Sequence, residues 1–366
     1  MADQPTLAVY EARAAEWEAV RDSGLKGAMS WAVTLAGEDR PVLDVGCGPG
    51  WQLPAFGPGA IGLDAAGAFI ARIGVNAPEA LALRADLGAL PLRAGSIGAA
   101  WANRSYVHVA RRDLPLALWD LHRVLRVGAP VRLVLFDGDA ELDGYPDDDF
   151  PGRRFSGWET EHLRDVVEGA GFTDVTVSTS HGSHVVDARR GFRLADTVGP
   201  AMDVLIVGLN PSPLTAERGI GFVRPGNRFW PAAIASGLVS RDRDPLHALR
   251  HHRIGMTNLA PRPTRAAAEL TRREYREGGA RLERLVRWLE PGVVCVVGIT
   301  GWRAAIDSTA SVGLQPVPFG GSQVFVMHNP SGLNAHATVE SLTADFDEVR
   351  SIGRAARAGR QTAGDD

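Results

Sequence analysis

Short apolar runs alternate with helical periodicity along the first half of the chain. The runs "PVLDVGCG" (41–48), "AIGLDA" (60–65), "AAWANR" (99–104) and "VRLVLFDGD" (131–139) predict buried strands, because four to eight apolar residues between turn residues suit a strand covered on both faces. Between the last two, "RRDLPLALWDLHRVLRVGAP" predicts a helix: Leu114, Leu118, Leu121 and Leu125 recur at helical spacing, Asp113 is the expected cap, and Gly128 and Pro130 end it. "ETEHLRDVVEGAGF" and "DVTVSTS" predict a final helix and strand. This β-α alternation predicts an α/β, Rossmann-like, doubly wound and mostly parallel sheet.

The pattern fades over "GSHVVDARRGFRLADTVGP" (182–200), which reads as a connection between domains, and then restarts. "DVLIVGLN", "RIGMTNL", "GVVCVVG" and "SQVFVMHNP" predict four strands; before the third, Leu282, Leu285, Val286 and Leu289 form an i, i+3, i+4, i+7 stripe. The reading is a second, three-layer α/β/α domain on a four-stranded parallel sheet. The expected boundaries are a first domain over 1–185, a linker over 186–200, a second domain over 201–353, and a polar, frayed tail over 354–366.

Composition narrows this picture. With 366 residues the chain is too long for one typical core. No apolar run approaches the length of a membrane span, and the acidic, amphipathic N-terminus lacks the pattern of a signal peptide. A cytoplasmic protein with no membrane partner is expected. Charge is uneven: residues 1–200 balance at −8 and residues 201–366 at +4, so the second half is compatible with a polyanion. Cys47 and Cys295 sit in apolar settings that suggest neither a disulfide nor a metal site, and His247, His251 and His252 read as a solvated helix end. Lys26 is the only lysine, so the second half has none for Schiff-base chemistry.

Two strand-to-glycine turns carry the candidate chemistry. In the first, "VLDVGCGPG", the glycines Gly46, Gly48 and Gly50 let the backbone approach a ligand closely. Asp64 ends the next strand, where an acidic side chain meets ribose hydroxyls in such sheets. "LDVGCGPG", "GLD", "ADLGALPL" and "HRVLRVGAPVRLVLFDGD" together resemble the class I S-adenosylmethionine-dependent methyltransferases over nearly all of residues 1–180. The resemblance implies S-adenosylmethionine as cofactor, with Asp44 and the glycines around its methionine part, Asp64 on the ribose and Asp86 near the adenine amine. It does not name the acceptor. The Asn/Asp-Pro-Pro-aromatic motif of amino-methylating DNA enzymes and the Pro-Cys of cytosine-C5 enzymes are absent from this domain. Tyr106 and His108 fall near the expected acceptor cleft, where core packing explains either as well.

The second turn, "VLIVGLNPSPLTAERGIGFVRPGNRFW" (204–230), lacks the Lys-Ser/Thr pair of a phosphate loop. Pro211 and Pro213 remove backbone donors and stiffen the turn, which suits fixing the side chain of Asn210 at a strand's carboxyl end. Phe222 follows. The distant loop "HNPSGLNAH" offers Asn329, Ser331, Gly332 and then Leu333, an apolar residue suited to fill the gap left by an extruded base. With "TNLAPRPT" and "REYREGG", these segments resemble the mismatch-specific uracil- and thymine-DNA glycosylases of the uracil-DNA glycosylase superfamily over about residues 190–350. The resemblance implies that Asn210 orients the hydrolytic water and Thr264 helps place it. Phe222 would stack on the flipped base, Asn258 read its polar edge, Asn329 and Ser331 line the base and the neighbouring phosphate, and Leu333 act as the wedge. Ser212 stands where glycine is commoner and "NAH" follows Leu333 where Ser-Arg is expected; both departures bear on wedge contacts and mismatch preference.

A neutral amide is a poor base, so such a site depends on a good leaving group, which favours uracil over unmodified cytosine. Flipping costs least at a mismatch, so the expected partner is double-stranded DNA with G:U or G:T pairs, bound in the nucleoid. Without a nearby lysine the expected enzyme is monofunctional, leaving an abasic site, and needs no cofactor for this step. Two alternatives remain on sequence alone: methyl transfer as the main activity with the second domain a nucleic-acid-binding module, or a non-catalytic first domain beside an active glycosylase.

Overall fold

The computed structural model describes residues 3–145, 148–332, 334 and 337–364, with side chains through residue 360. The chain divides into two compact units, 1–168 with 172–191, and 169–171 with 192–366.

The first unit is built on one nine-stranded sheet: β1 (Val42–Val45), β2 (Ile61–Asp64), β3 (Leu81–Arg84), β4 (Ala99–Asn103), β5 (Pro130–Asp137), β6 (Glu141–Leu142), β7 (Phe155–Trp158), β8 (Phe172–Ser180) and β9 (Ser183–Arg190). The central order is β3-β2-β1-β4-β5, all parallel. Every residue of β1 is buried, Asp44 included, which explains its unbroken apolar reading. Because the chain runs outward from β1 to β3 and then restarts at β4 on the other side, strand order reverses between β1 and β4. Open α/β sheets bind ligands at that point, beyond the strands' carboxyl ends.

Residues 183–190, read from sequence as connection and linker, form β9. It pairs antiparallel with both β5 and β8. Its charges disguised it: Asp187 lies opposite Arg132 of β5 and accepts two hydrogen bonds from that guanidinium at 2.6 and 2.7 Å. Asp113 also departs from expectation. The helix Leu114–Val124 follows a short 3-10 turn over Arg111–Asp113, and the Asp113 side chain makes no capping hydrogen bond.

The second unit has the order β11-β10-β12-β14-β13, from β10 (Val204–Gly208), β11 (Ile254–Asn258), β12 (Val293–Val297), β13 (Gly313–Leu314) and β14 (Gln323–Met327). The first four are parallel, as the apolar runs predict; β13 adds a two-residue antiparallel edge too short to leave a pattern. β10 and β12 are buried throughout. Strand order again reverses around β10, so the turn that follows it opens at the ligand-binding end. The helix Val339–Gly364 buries Leu342, Phe346 and Val349 in the core, each contributing about 1.5–3 kcal/mol of apolar burial. This helix contains most of the expected tail. Arg357 donates to Asp203 at 3.2 Å and Arg360 to the Glu290 carbonyl at 2.9 Å, tying a polar segment to the body of the unit. Among the described residues no helix is long and apolar enough to cross a membrane.

Candidate functional sites

In the second unit a cavity of about 220 Å³ opens beyond β10 and β11. It is lined by Asn210, Phe222, Asn258, Thr264, Asn329 and Ser331, among others, so these six residues from three separate segments line one cavity. Gly332 lies against the Gly226 carbonyl beside it. Leu333 lies outside the described residues.

The Asn210 amide is held in one orientation. Its Nδ2 donates to Thr264 Oγ1 at 2.7 Å, the Pro211 carbonyl at 3.1 Å and the Arg262 carbonyl at 3.3 Å. Carbonyl oxygens only accept, so they identify Nδ2 and leave Oδ1 without a partner among the described residues, free to accept from water. Thr264, buried, donates its own proton to the Ala266 carbonyl at 2.8 Å. Its hydroxyl thereby helps hold the Asn210 amide. Arg262, which supplies one of those carbonyls, is locked to Glu274 by two hydrogen bonds of 2.6 and 3.1 Å. The guanidinium draws the Glu274 carboxyl down to about 2.

Phe222 adopts a positive φ of 59° and stacks on Phe229, with centroids 4.0 Å apart and planes 11° from parallel. Asn258 ends β11 directly opposite Gly208, and a Cβ at Gly208 would come within 2.7 Å of Asn258 Oδ1. Gly208, two residues before Asn210, thus makes room for the Asn258 amide. The Asn258 side chain makes no hydrogen bond among the described residues, so both ends of its amide are available to a ligand. Asn329 Oδ1 accepts from Ser331 N at 2.9 Å, fixing the turn that presents both. Ser212 caps the helix Pro213–Arg218 by accepting from Thr215 N at 3.3 Å, a local reason for serine there.

Two supporting groups carry no sequence signal of their own. Arg228 donates to the Ser331 and Asn334 carbonyls through Nη1, and through its backbone N–H to the Pro330 carbonyl at 2.9 Å, clamping the distant loop onto the 222–230 segment. Beneath Asn258, Arg281 donates to buried Asp196 at 2.8 Å and to Thr257 at 3.1 Å, while Thr257 donates to Asp196 at 2.6 Å. A buried pair of this kind is costly to break because it leaves an unpaired charge. Arg224 and Arg265 stand exposed at the rim. His251 and His252 end the helix Pro245–His252, whereas His247 lies in its first turn, its N–H capped by Asp244; no group of three metal-ligating side chains converges among the described residues.

In the first unit a cavity of about 810 Å³ lies at the β1–β4 reversal. Gly46, Gly48 and Asp64 line it; Gly46 and Gly48 have φ of 71° and 54°, which glycine adopts without strain. Gly48 N donates to Asp64 Oδ2 at 2.9 Å and Ala66 N to Oδ1 at 2.8 Å. Burial nevertheless pushes the Asp64 carboxyl up to about 6. Asp44 lies buried beneath the loop, its carboxyl raised by burial and by Asp64, with Oδ2 unpartnered. Gly50 packs towards Ile73 and Leu53, away from the cavity wall, and Asp86 accepts from Gly88 N at 2.7 Å while its neighbour Leu87 takes the wall position. Tyr106 is buried outside the cavity lining, whereas His108 lines it.

Comparison with known proteins agrees with this division. Residues 195–350 match the family model of the uracil DNA glycosylase superfamily, and residues 42–128 match a methyltransferase domain. Among solved structures, an S-adenosylmethionine-dependent methyltransferase from Mesorhizobium loti is 18% identical, with 45% of this chain and 100% of that one covered at a TM-score of 0.37. The 1,6-didemethyltoxoflavin-N1-methyltransferase of Burkholderia thailandensis, solved with S-adenosylhomocysteine, is 16% identical, with 51% and 88% covered at 0.41. The chain therefore joins a methyltransferase domain to a member domain of the uracil DNA glycosylase superfamily.

Proposed function

We propose that the second unit excises uracil, and thymine by the same pocket, from G:U and G:T mispairs in double-stranded DNA, as a monofunctional glycosylase of base-excision repair. The observation that carries this reading is the oriented Asn210 amide, whose free Oδ1 shares a cavity with Phe222 and the unengaged Asn258 amide. Asn210 Oδ1 accepts a hydrogen bond from water and aims its oxygen at C1′. The C1′–oxygen bond forms as the C1′–nitrogen bond breaks, and the electron pair leaves with the base. Asn258 stabilises charge on the departing base through its N–H, and the water's proton passes to solvent. The neutral amide cannot drive departure of a poor leaving group, hence the preference for uracil. Arg224 and Arg265 at the rim suit a phosphate backbone.

The first unit, in this reading, binds S-adenosylmethionine. Three features support it: Gly46 and Gly48 bring bare backbone to the cavity wall, Asp64 on the same wall suits the ribose hydroxyls, and Asp44, buried beneath the loop, keeps one carboxyl oxygen unpartnered. Bound there, the ligand supplies an electrophilic methyl group.

The test is a labelled duplex with one G:U pair, treated with alkali after incubation. Wild type should release uracil and cleave only after alkali, and Asn210→Ala should lose about 10²-fold or more in rate. Equal release by the variant, or strand cleavage without alkali, refutes the assignment.

A further inference from the structure

The cavity of the first unit extends past the glycine loop into a walled space of aromatic side chains. Trp17 and Trp51 stack at 5.5 Å with planes 18° apart, beside Gly48. Phe155, near His108 at 5.0 Å, lines the same cavity. Tyr10 and Trp17 come from the helix Gln4–Val20, which Glu11 anchors by accepting from Gly67 N and Ala68 N at 2.8 and 2.9 Å.

Within this space runs a directed hydrogen-bond chain. His108 Nδ1 lies 2.6 Å from the Arg154 carbonyl, which can only accept, so Nδ1 carries the proton and Nε2 is a lone pair. Tyr10 donates its phenolic proton to that Nε2 at 2.8 Å and accepts from Arg153 Nη1 at 2.9 Å. Arg153 is in turn paired with Asp148. The Tyr10 oxygen keeps one lone pair for a donor in the cavity. Burial holds the imidazole neutral, its pKa pushed down to about 4. Two carboxylates of the cavity wall are engaged by cations: Asp148 by Arg153, and Asp149 by Arg21 at 3.1 Å. Beside this chain a hydroxyl finds a proton acceptor, the Tyr10 oxygen, and a neighbouring cation, Arg153.

We propose that the first unit methylates the hydroxyl of a planar aromatic small molecule, with Tyr10 taking the hydroxyl proton and His108 receiving the proton that Tyr10 gives up. The proposal rests on the methyltransferase reading above. As the acceptor oxygen bonds to the methyl carbon, the carbon–sulfur bond breaks and its electron pair stays on sulfur. The alkylated oxygen becomes strongly acidic, so even a weakly basic imidazole behind Tyr10 suffices. One positive charge disappears at sulfur and one appears on His108, which later returns its proton to solvent. Tyr10 is the catalytic residue, and His108 acts through it.

The experiment uses the full chain, with S-adenosylmethionine binding followed by calorimetry in every variant. 2-Naphthol should bind in the presence of S-adenosylhomocysteine, and Trp51→Ala should weaken that binding at least about tenfold. Labelled methyl should pass to its oxygen, and Tyr10→Phe and His108→Gln should slow transfer about 10²-fold. 4-Nitrophenol, ionised at the assay pH, needs no proton acceptor, so its methylation should change less than about threefold in both variants. Normal donor binding without 2-naphthol binding or transfer overturns the proposal, as does an equal slowing of both phenols. Loss of donor binding in wild type instead brings down the methyltransferase reading and this proposal with it.

Discussion

In the proposed reaction Thr264 serves as a support for Asn210. Its proton is spent on the Ala266 carbonyl, and its oxygen accepts from Asn210 Nδ2. Thr264→Val removes that acceptor but leaves the Pro211 and Arg262 carbonyls to hold the amide. The expected cost is about 1 kcal/mol, roughly fivefold in single-turnover uracil release, with affinity for an abasic duplex unchanged. A rate equal to wild type, or a loss as deep as that of Asn210→Ala, would contradict this ordering of roles.

At the scale of elements, the site is where three loops and a helix are pinned together. Thr271 and Glu274 form a capping box at the start of the helix Arg272–Leu289, and the same Glu274 carboxylate holds Arg262. Its carboxyl is depressed from 4.5 to about 2, so the folded state favours the charged form. The stabilisation is therefore full above about pH 4.5 and is lost as pH falls towards 2. Both partners are partly exposed, which keeps it within about 1 kcal/mol. Glu274→Gln should lower the melting temperature at pH 7 and differ progressively less from wild type below pH 4.5. A constant difference across that range in thermal melts would show that the ion pair is not its source.

For the whole molecule, each site draws the residues described above from one unit: the cavity at the β1–β4 reversal from the first, the Asn210 cavity from the second. Separate construction predicts separate loss. Asp64→Ala should abolish calorimetric S-adenosylmethionine binding while uracil release persists, and Asn210→Ala should do the reverse. Ligand at a hundredfold over its Kd stabilises the fold that binds it by about 2.7 kcal/mol, so wild-type chain and Asn210→Ala should gain equally in thermal melts. Loss of both activities in either variant would contradict this independence.

Local patterning was enough for β1, β2, β4, β5 and β8, for the four parallel strands of the second unit and for the two turns, because apolar strands and glycine or proline at turns leave marks within a few residues, whereas β3, β6 and β7 left no such mark. Asn210, Phe222, Asn258 and Asn329 could be selected by motif for the same reason. Pairing partners were not legible: β9 hides its strand character behind Asp187, whose charge is answered by Arg132 55 residues away along the chain. Nor does a sequence reveal which way an amide faces or that Arg228 clamps a loop about 100 residues distant. The relay from Arg153 through Tyr10 to His108 joins residues 143 and 98 positions apart. Only tertiary structure brings such groups within hydrogen-bond distance, so only it decided the orientation of Asn210 and the chemistry available beside the first cavity.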